Sequence, residues 1–230
     1  LVCALHLLLL FKREVIVIHH QSIPTPLLVY IFLTNKVKYF AIDNSFFCLK
    51  SYNMTSSLNG PCRVCVQTLK PLKECNVYPS KKNKVVELLF LKWLKRVAES
   101  IEFLTLSTSS SRLLKEHFGQ VAVKAIGFTT NELKSIEPTY DLDKDNLIVF
   151  HGSDVKEKGA DYCIELAKIS TFAFFVFPFQ KDIKLSNAIF RKLSWHSGLY
   201  EYCKKARLIL VPSLWDNTPE AASLKSLLLG

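Results

Sequence analysis

The sequence predicts an α/β protein built from two doubly wound parallel-sheet domains. Three observations predict it. Short apolar runs alternate with amphipathic ones along the 230 residues. A polar, acidic stretch without periodicity, 129–145, interrupts that alternation, after which the pattern restarts. Apolar residues make up 49% of the chain, enough for a packed core and too many for a disordered one. Strand, helix, strand, repeated, argues parallel strands with helices on both faces. Each half is therefore expected to be a Rossmann-like sheet.

The elements follow in order. "EVIVIH" (14–19) reads as a buried strand and "PTPLLVYIFLTN" (24–35) as a helix with proline near its start. "VKYFAID" (37–43) is the next strand. "NKVVELLFLKWLKRVAES" (83–100) places Val86, Leu89, Phe90, Trp93, Leu94 and Val97 at helical spacing. "IEFLTLS" (101–107) is a strand. "SSSRLLKEHFG" (109–119) is a helix opened by serines and closed by Gly119, and "QVAVKAIGF" (120–128) is a strand. After the expected linker come the strand "NLIVFHGSD", the helix "KEKGADYCIELAKIS" and the strand "TFAFFVFPF", in which Phe172, Phe174, Phe175 and Phe177 form a core run. The helix "SGLYEYCKKA", the strand "RLILVPS" and a helix starting at Pro219 complete the chain. Proline suits a first helical position, and Glu220 then falls in the first turn, where the helix dipole favours an acid.

Charge and composition narrow the function. Lys and Arg number 30 against 20 Asp and Glu, a formal charge of +10. Such a surface suits an anionic partner, a nucleotide phosphate or an acidic membrane face, or is simply solvated. No aromatic stripe interleaved with basic residues is present, so nucleic acid is not an expected partner. There is neither a dinucleotide G-x-G-x-x-G nor a P-loop, and the seven glycines are few. "LVCALHLLLLF" at the start is apolar over about eleven residues, short of the roughly 20 that span a bilayer, and lacks the flanks of a signal peptide. It reads as a helix leading into the first strand. Seven cysteines, an odd number with one close pair, favour a reducing compartment, so the expected location is cytoplasmic, with the membrane surface as a further site of contact.

Ligands of open parallel sheets bind beyond the carboxyl ends of the strands. That rule selects "HHQS" (19–22), "DNSFF" (43–47), "STSSS" (107–111), "GFTTN" (127–131), "HGSDVKEKG" (151–159) and "PSLWDNTPE" (212–220).

Several of these segments carry a family likeness. "VFHGSDVKEKGADYCIELAK" resembles the first strand and helix of the donor domain of retaining GT-B glycosyltransferases, in particular their large family four. "YEYCKKARLILVPSLWDNTPEAASLKSLLLG" is similar to the later segment in which a strand ends in Pro-Ser and feeds the sugar-binding helix. "VKYFAIDNSFFCLKSYNMTSSLNGPCRVC" resembles an acceptor-domain segment. "FLTLSTSSSRLLKEHFG" and "VKAIGFTTNEL" resemble the way out of that domain. The matches run in family order over nearly the whole chain. The resemblance implies a GT-B fold: an acceptor-side domain over 1–128 with a Cys-rich loop at 46–79, a linker at 129–145 and a nucleotide-sugar donor domain over 146–230. Both domains are expected to be incomplete, the chain being an internal fragment. Substrates are expected in the cleft between the two.

The resemblance also implies roles. Lys158 and Gly159, in "KEKG", stand where the family grips the donor diphosphate. Ser153 stands where an arginine is usual, and Lys156 offers a charge without a guanidinium's fork. The family's pair of glutamates falls on Asn217 and Lys225, neither acidic. "WDNTPEAASLKS" instead resembles a variant with Glu220 and Lys225 in matching places. Lys158 then either holds phosphate or is solvated at a helix start, and Glu220 either contacts the sugar or caps its own helix. On the acceptor side, the usual histidine is replaced by Ile42. The next residue, Asp43, is the candidate catalytic group, orienting an acceptor hydroxyl, unless it only caps a turn. His19 and His20 follow the preceding strand as polar contacts of the acceptor or as structural groups. Trp215 is the aromatic placed to stack on a base or sugar.

Cys48, Cys62, Cys65 and Cys75 form a separate constellation. Cys-x-x-Cys after Gly-Pro is half of a zinc knuckle, and a loop of this length needs something to hold it. Structural zinc, a disulfide and buried free thiols are the three answers. Catalysis in this family requires no cofactor. The leading expectation is a hexosyltransferase of glycan biosynthesis, moving a sugar from a nucleotide-sugar donor to a glycan or lipid-linked acceptor with retention. The alternatives are a catalytically inactive GT-B-like binding protein and a Cys-rich, zinc-stabilised interaction module.

Overall fold

The computed structural model describes residues 14–55, 60–78, 82–128, 136, 145–216 and 220–229. It divides into two compact units: Leu1–Phe128 with Trp215–Thr218, and Thr129–Leu214 with Pro219–Gly230. Each is a four-stranded parallel sheet flanked by helices, a Rossmann-like α/β arrangement. Most of the expected linker lies outside the described residues, but Ile136 within it is buried in the second unit's core.

In the first unit the strands are β1 (Glu14–Ile18), β2 (Lys36–Ala41), β3 (Glu102–Thr105) and β4 (Ala122–Ala125), in the order β1-β2-β3-β4. The connecting helices are α1 (Thr25–Thr34), α2 (Lys84–Val97) and α3 (Thr108–Phe118). Val17 pairs with Tyr39 and Tyr39 with Phe103, giving one apolar row that meets Leu28, Phe90, Leu91, Leu94 and Leu114 in a single core. The opposite row carries Ile16, Lys38 and Glu102, with Lys38 bridging Glu14 at 2.8 Å and Glu102 at 3.6 Å. The winding on both faces expected for this half is thus not seen among the described residues. Strands added in one direction by right-handed crossovers deliver every helix to the same face.

Local signals explain where α2 and α3 start. Asn83 accepts from the backbone N–H groups of Val85 and Val86, and Ser107 accepts from that of Ser110. Gly119, at φ 85°, closes α3. The loop after β2 is not loose. Phe46, Phe47, Leu49, Met54, Val66 and Leu69 are buried, together with Cys48, Cys62, Cys65 and Cys75. Asn53 exchanges bonds with the Cys62 backbone in both directions and accepts from Asn44 at 2.8 Å. Within this unit Asp216 takes two bonds from Arg63, at 2.7 and 3.0 Å.

The second unit contains β5 (Asp145–Phe150), β6 (Phe174–Phe177), β7 (Ala188–Phe190) and β8 (Ala206–Leu210), in the order β7-β6-β5-β8. Its helices are α4 (Ala160–Ile169), α5 (Leu199–Lys205) and α6 (Ala221–Leu227). Here the double winding is present. Phe150, Phe175 and Phe177 pack with Ala160, Cys163, Ile164 and Ala167 of α4 on one face. Leu147, Val149 and Val176 pack with Leu199 and Cys203 of α5, and with Leu229, on the other. Phe172 is not a core residue: it precedes the strand and is 85% exposed, and Phe174 is exposed at the strand's start. A continuous apolar run does not mark where a strand begins. β7 was not legible at all, being only three residues long.

Candidate functional site

In the second unit the chain leaves β5 toward β6 and β7, then returns through α5 to add β8 on the other side of β5. The strand order therefore reverses between β5 and β8, and the crevice beyond their carboxyl ends is the expected place for a ligand. Two segments selected from the sequence, 151–159 and 212–220, leave these strand ends.

They are locked together at Gly159. Its φ is 74°, and a Cβ there would lie 2.4 Å from the Pro212 carbonyl oxygen, so only glycine lets α4 start against the β8 exit. Leu214 N–H donates to the Glu157 carbonyl at 2.9 Å. The result is that Lys158 reaches Glu220. Its ammonium bonds Glu220 Oε1, and Ser213 Oγ donates to the same oxygen at 2.6 Å. The Lys158 and Glu220 side chains are only 16% and 14% exposed.

Glu220 is not in the first turn of its helix. α6 begins at Ala221, and Glu220 is the residue before it, with extended φ −78° and ψ 122° and no side-chain bond to its own helix. The extended backbone turns the carboxylate toward Lys158 and Ser213 instead. The carboxylate thus bonds Lys158 and Ser213 and does not cap its own helix.

A second group lies on the same strand ends. His151 follows β5 and stacks on Trp195, centroids 5.3 Å apart at 10°. Lys225 Nζ sits 4.7 Å over the same indole. Ser226 Oγ donates to the Ala222 carbonyl at 2.7 Å, so its lone pair faces His151 Nδ1 at 3.2 Å, which must then be the protonated nitrogen. Burial, with Lys225 nearby, brings the His151 pKa down to about 4, so the ring is neutral. Trp195 also lines a cavity of about 320 Å³ with His196, Tyr200 and Glu201. Chemically, the Lys158 group brings together an ammonium, a carboxylate and a hydroxyl, while the Trp195 ring is covered by His151 and Lys225. An ammonium suits an anion, and a carboxylate with a hydroxyl suits a polyhydroxylated ligand.

Other expected residues fall elsewhere. Ser153 and Lys156 are exposed, and no hydrogen bond among the described residues joins them to Lys158 or Glu220. Asn217 lies outside the described residues. Trp215 is 7% exposed and belongs to the first unit, where its ring meets Tyr52 edge-on at 4.9 Å, so it offers no open face for stacking.

In the first unit the neighbouring histidines part ways. His19, just after β1, has φ 50° and ψ 65°, a left-handed backbone uncommon outside glycine but more accessible to histidine than to most side chains. That turn brings Nε2 to 3.2 Å from Asp43 at the end of β2, while Nδ1 meets Ser22 Oγ at 2.8 Å. The bond from Asp43 raises the His19 pKa against a smaller effect of burial. Burial pulls the Asp43 carboxyl upward, but bonds from His19 and Ser45 outweigh it and leave it lowered. Asp43 also caps the turn Asn44–Phe46 by accepting from Ser45 N–H at 2.9 Å. His20 is no acceptor contact. It is fully buried, with Nδ1 2.5 Å from Tyr39 Oη and Nε2 2.7 Å from Glu87.

Cys48, Cys62, Cys65 and Cys75 are free, buried thiols. Burial pushes Cys65 up to about 12 and raises Cys48 further. Among the described residues, no three His, Cys, Asp or Glu side chains are placed to share a metal ion.

Sequence reasoning missed Trp195, Ser213, His151 and Ser226. The strand-end rule had already drawn attention to the segments of His151 and Ser213. Trp195 gave no such signal, because it comes from the stretch after the unrecognised β7. Comparison of the chain with protein-family models, with curated proteins and with solved structures finds no match in any of the three.

Proposed function

We propose that this chain belongs to a retaining GT-B-type glycosyltransferase that moves a sugar from a nucleotide-sugar donor to an acceptor hydroxyl. The observation that carries the reading is the convergence of Lys158, Ser213 and Glu220 at the strand-order reversal of the second unit. These lie in the segments whose resemblance implies diphosphate and sugar contacts. Lys158 would hold the diphosphate and stabilise the charge that grows on it as the bond to the sugar breaks. Glu220, with Ser213 holding one of its oxygens, would accept hydrogen bonds from sugar hydroxyls. In the first unit His19, oriented by Asp43, is the group that would hold an acceptor hydroxyl, in place of the histidine that Ile42 replaces. The excess of cations suits an anionic donor. No cofactor is required by this scheme.

Isothermal titration with uridine and guanosine diphosphate tests the reading. One of the two binds, and Lys158→Ala weakens binding by roughly 10- to 100-fold, as expected when a charge-assisted bond is lost. Failure of both to bind, with no donor hydrolysis, overturns it. The exposed Ser153 in the arginine's place favours a second reading, a binding protein without transfer activity. It predicts diphosphate binding without turnover of any donor. The Cys-rich interaction module, by contrast, predicts stoichiometric zinc in the purified protein.

A further inference from the structure

In the second unit, α4 turns Ala160, Cys163, Ile164 and Ala167 toward the sheet. Its opposite side is apolar as well. Tyr162, Leu166 and Ile169, spaced i, i+4 and i+7, are 60%, 40% and 78% exposed, and Phe172, just past the helix, is 85% exposed. A helix on the surface of an α/β unit is expected to be polar on its outward side. This one has two apolar faces, and the sheet covers one. The outer stripe is held in place. The Asn187 side chain donates to the carbonyls of Ala167 and Ser170, at 2.9 Å each, and so closes the end of α4. The Asn146 side chain donates to the Phe172 carbonyl. Four neighbouring apolar side chains on an anchored backbone mark a contact surface, unlike singly scattered ones.

Charge indicates what the stripe contacts. The chain carries +10, but α4 carries two acids, Asp161 and Glu165, and one cation, Lys168. With 3.6 residues per turn, all three fall on the same flank of the stripe, the acids first and the cation last. Lys181 bridges Asp161 at 3.4 Å and Asp154 at 2.9 Å, and Lys168 bonds Glu165 within the helix at 2.6 Å. An acid-then-cation order is self-complementary when two such helices run antiparallel, because the acidic end of each lies beside the cationic end of the other. Elsewhere on a chain of this charge, two copies repel each other.

We infer that α4 pairs with α4 of a second copy of this chain, antiparallel, across a twofold axis beside Leu166. The two copies of Leu166 meet at the axis. Tyr162 of each copy packs on Ile169 and Phe172 of the other, and Glu165 of each lies beside Lys168 of the other. The helix dipoles then oppose, a further small gain. An anionic surface is not the occupant that charge selects, because the acids of α4 outnumber its cation. The inference does not depend on the function proposed for Lys158 and Glu220.

Sedimentation velocity of the full chain between about 1 and 100 μM tests the inference, the range in which a contact this small is expected to associate. The wild-type chain passes from monomer to dimer over that range. Leu166→Asp and Ile169→Asp, at exposed positions, each weaken the dimer about tenfold or more while the circular dichroism spectrum is kept. Glu165→Lys and Lys168→Glu each weaken it about threefold, because like charges then face each other. An equimolar mixture of these two variants recovers the association, since opposite charges meet again across the axis. The bond within the helix stays broken in that mixture, so it does not account for the recovery. A wild-type chain that remains monomeric overturns the proposal. So does self-association that these variants leave untouched, or a mixture no tighter than its two components. A monomer in which Leu166→Asp lowers the urea midpoint would assign the face to another part of the same chain instead.

Discussion

Residues 19 and 20 are adjacent histidines with opposite roles, and the difference lies in one backbone angle. The left-handed turn at His19 ends β1 and points that ring to Asp43, while His20 is driven into the core between Tyr39 and Glu87. Removing His20 leaves Glu87 as a buried carboxylate, supported by Lys82 at 3.8 Å, and removes the bond between the ring and Tyr39 Oη. His20→Leu is expected to lower stability by about 3 kcal/mol, the scale of breaking a buried pair from one side. His19→Gln, at a partly exposed position, should cost less than about 1 kcal/mol. Urea unfolding of both variants checks this, and equal losses would remove the distinction. Glu220 teaches a similar lesson. Its sequence position suited a helix cap, but its backbone is extended, and the side chain goes to Lys158.

At the scale of elements, the crevice of the second unit depends on how closely α4 and the β8 exit approach. Gly159 sets that approach. Alanine there would need to move the Pro212 carbonyl and also hold a positive φ. Gly159→Ala is expected to destabilise by about 2 kcal/mol or more, since the backbone conformation alone costs ~1 kcal/mol. The urea midpoint should fall with an unchanged slope. A variant as stable as wild type would show that the loop yields freely. The helices were the most legible elements. Gly119 marks the end of α3 in the sequence and the structure uses it, whereas the cap Ser107 reads as the last residue of the preceding strand and the helix starts one residue before the expected Ser109. Apart from the missed β7, the strands come in the expected order but are read too long, because apolar residues continue beyond the ladder bonds. β6 illustrates this, its core role falling to Phe175 and Phe177 while Phe172 stays in solvent.

At the scale of the whole molecule, buried histidines make stability depend on pH. Burial pushes His117 of the first unit down to about 3, with Lys95 adding to it, and His151 of the second unit down to about 4. A folded-state pKa below the unfolded value means that the unfolded chain binds more protons. Stability is therefore full above about pH 6.5 and is lost as pH falls toward the folded values. The lowered carboxylates Asp43 and Glu87 add a loss in the same direction at lower pH, while the raised His19 opposes it. Between about pH 7.5 and about pH 5, each buried histidine is expected to cost ~2 kcal/mol. Urea unfolding at the two pH values should show the drop, and His151→Gln should shrink it. A pH-independent midpoint would mean that these rings find partners on protonation.

The sequence by itself determined the class of fold, two parallel α/β units, the order of their helices and the strand ends where chemistry was to be sought. Hydrophobic periodicity and capping residues are local, so they can be read without coordinates. The sequence also singled out Lys158, Gly159 and Glu220, through a resemblance that the proposed function rests on. Only the tertiary structure decided which candidates meet. It joined Lys158 to Glu220 and Ser213, brought Trp195 under Lys225, paired His19 with Asp43, and buried His20 and Trp215 out of reach. It also decided the winding, one-sided among the described elements of the first sheet and two-sided in the second. Those outcomes rest on strand order, backbone angles and close approaches between segments distant in sequence, and no local pattern encodes them.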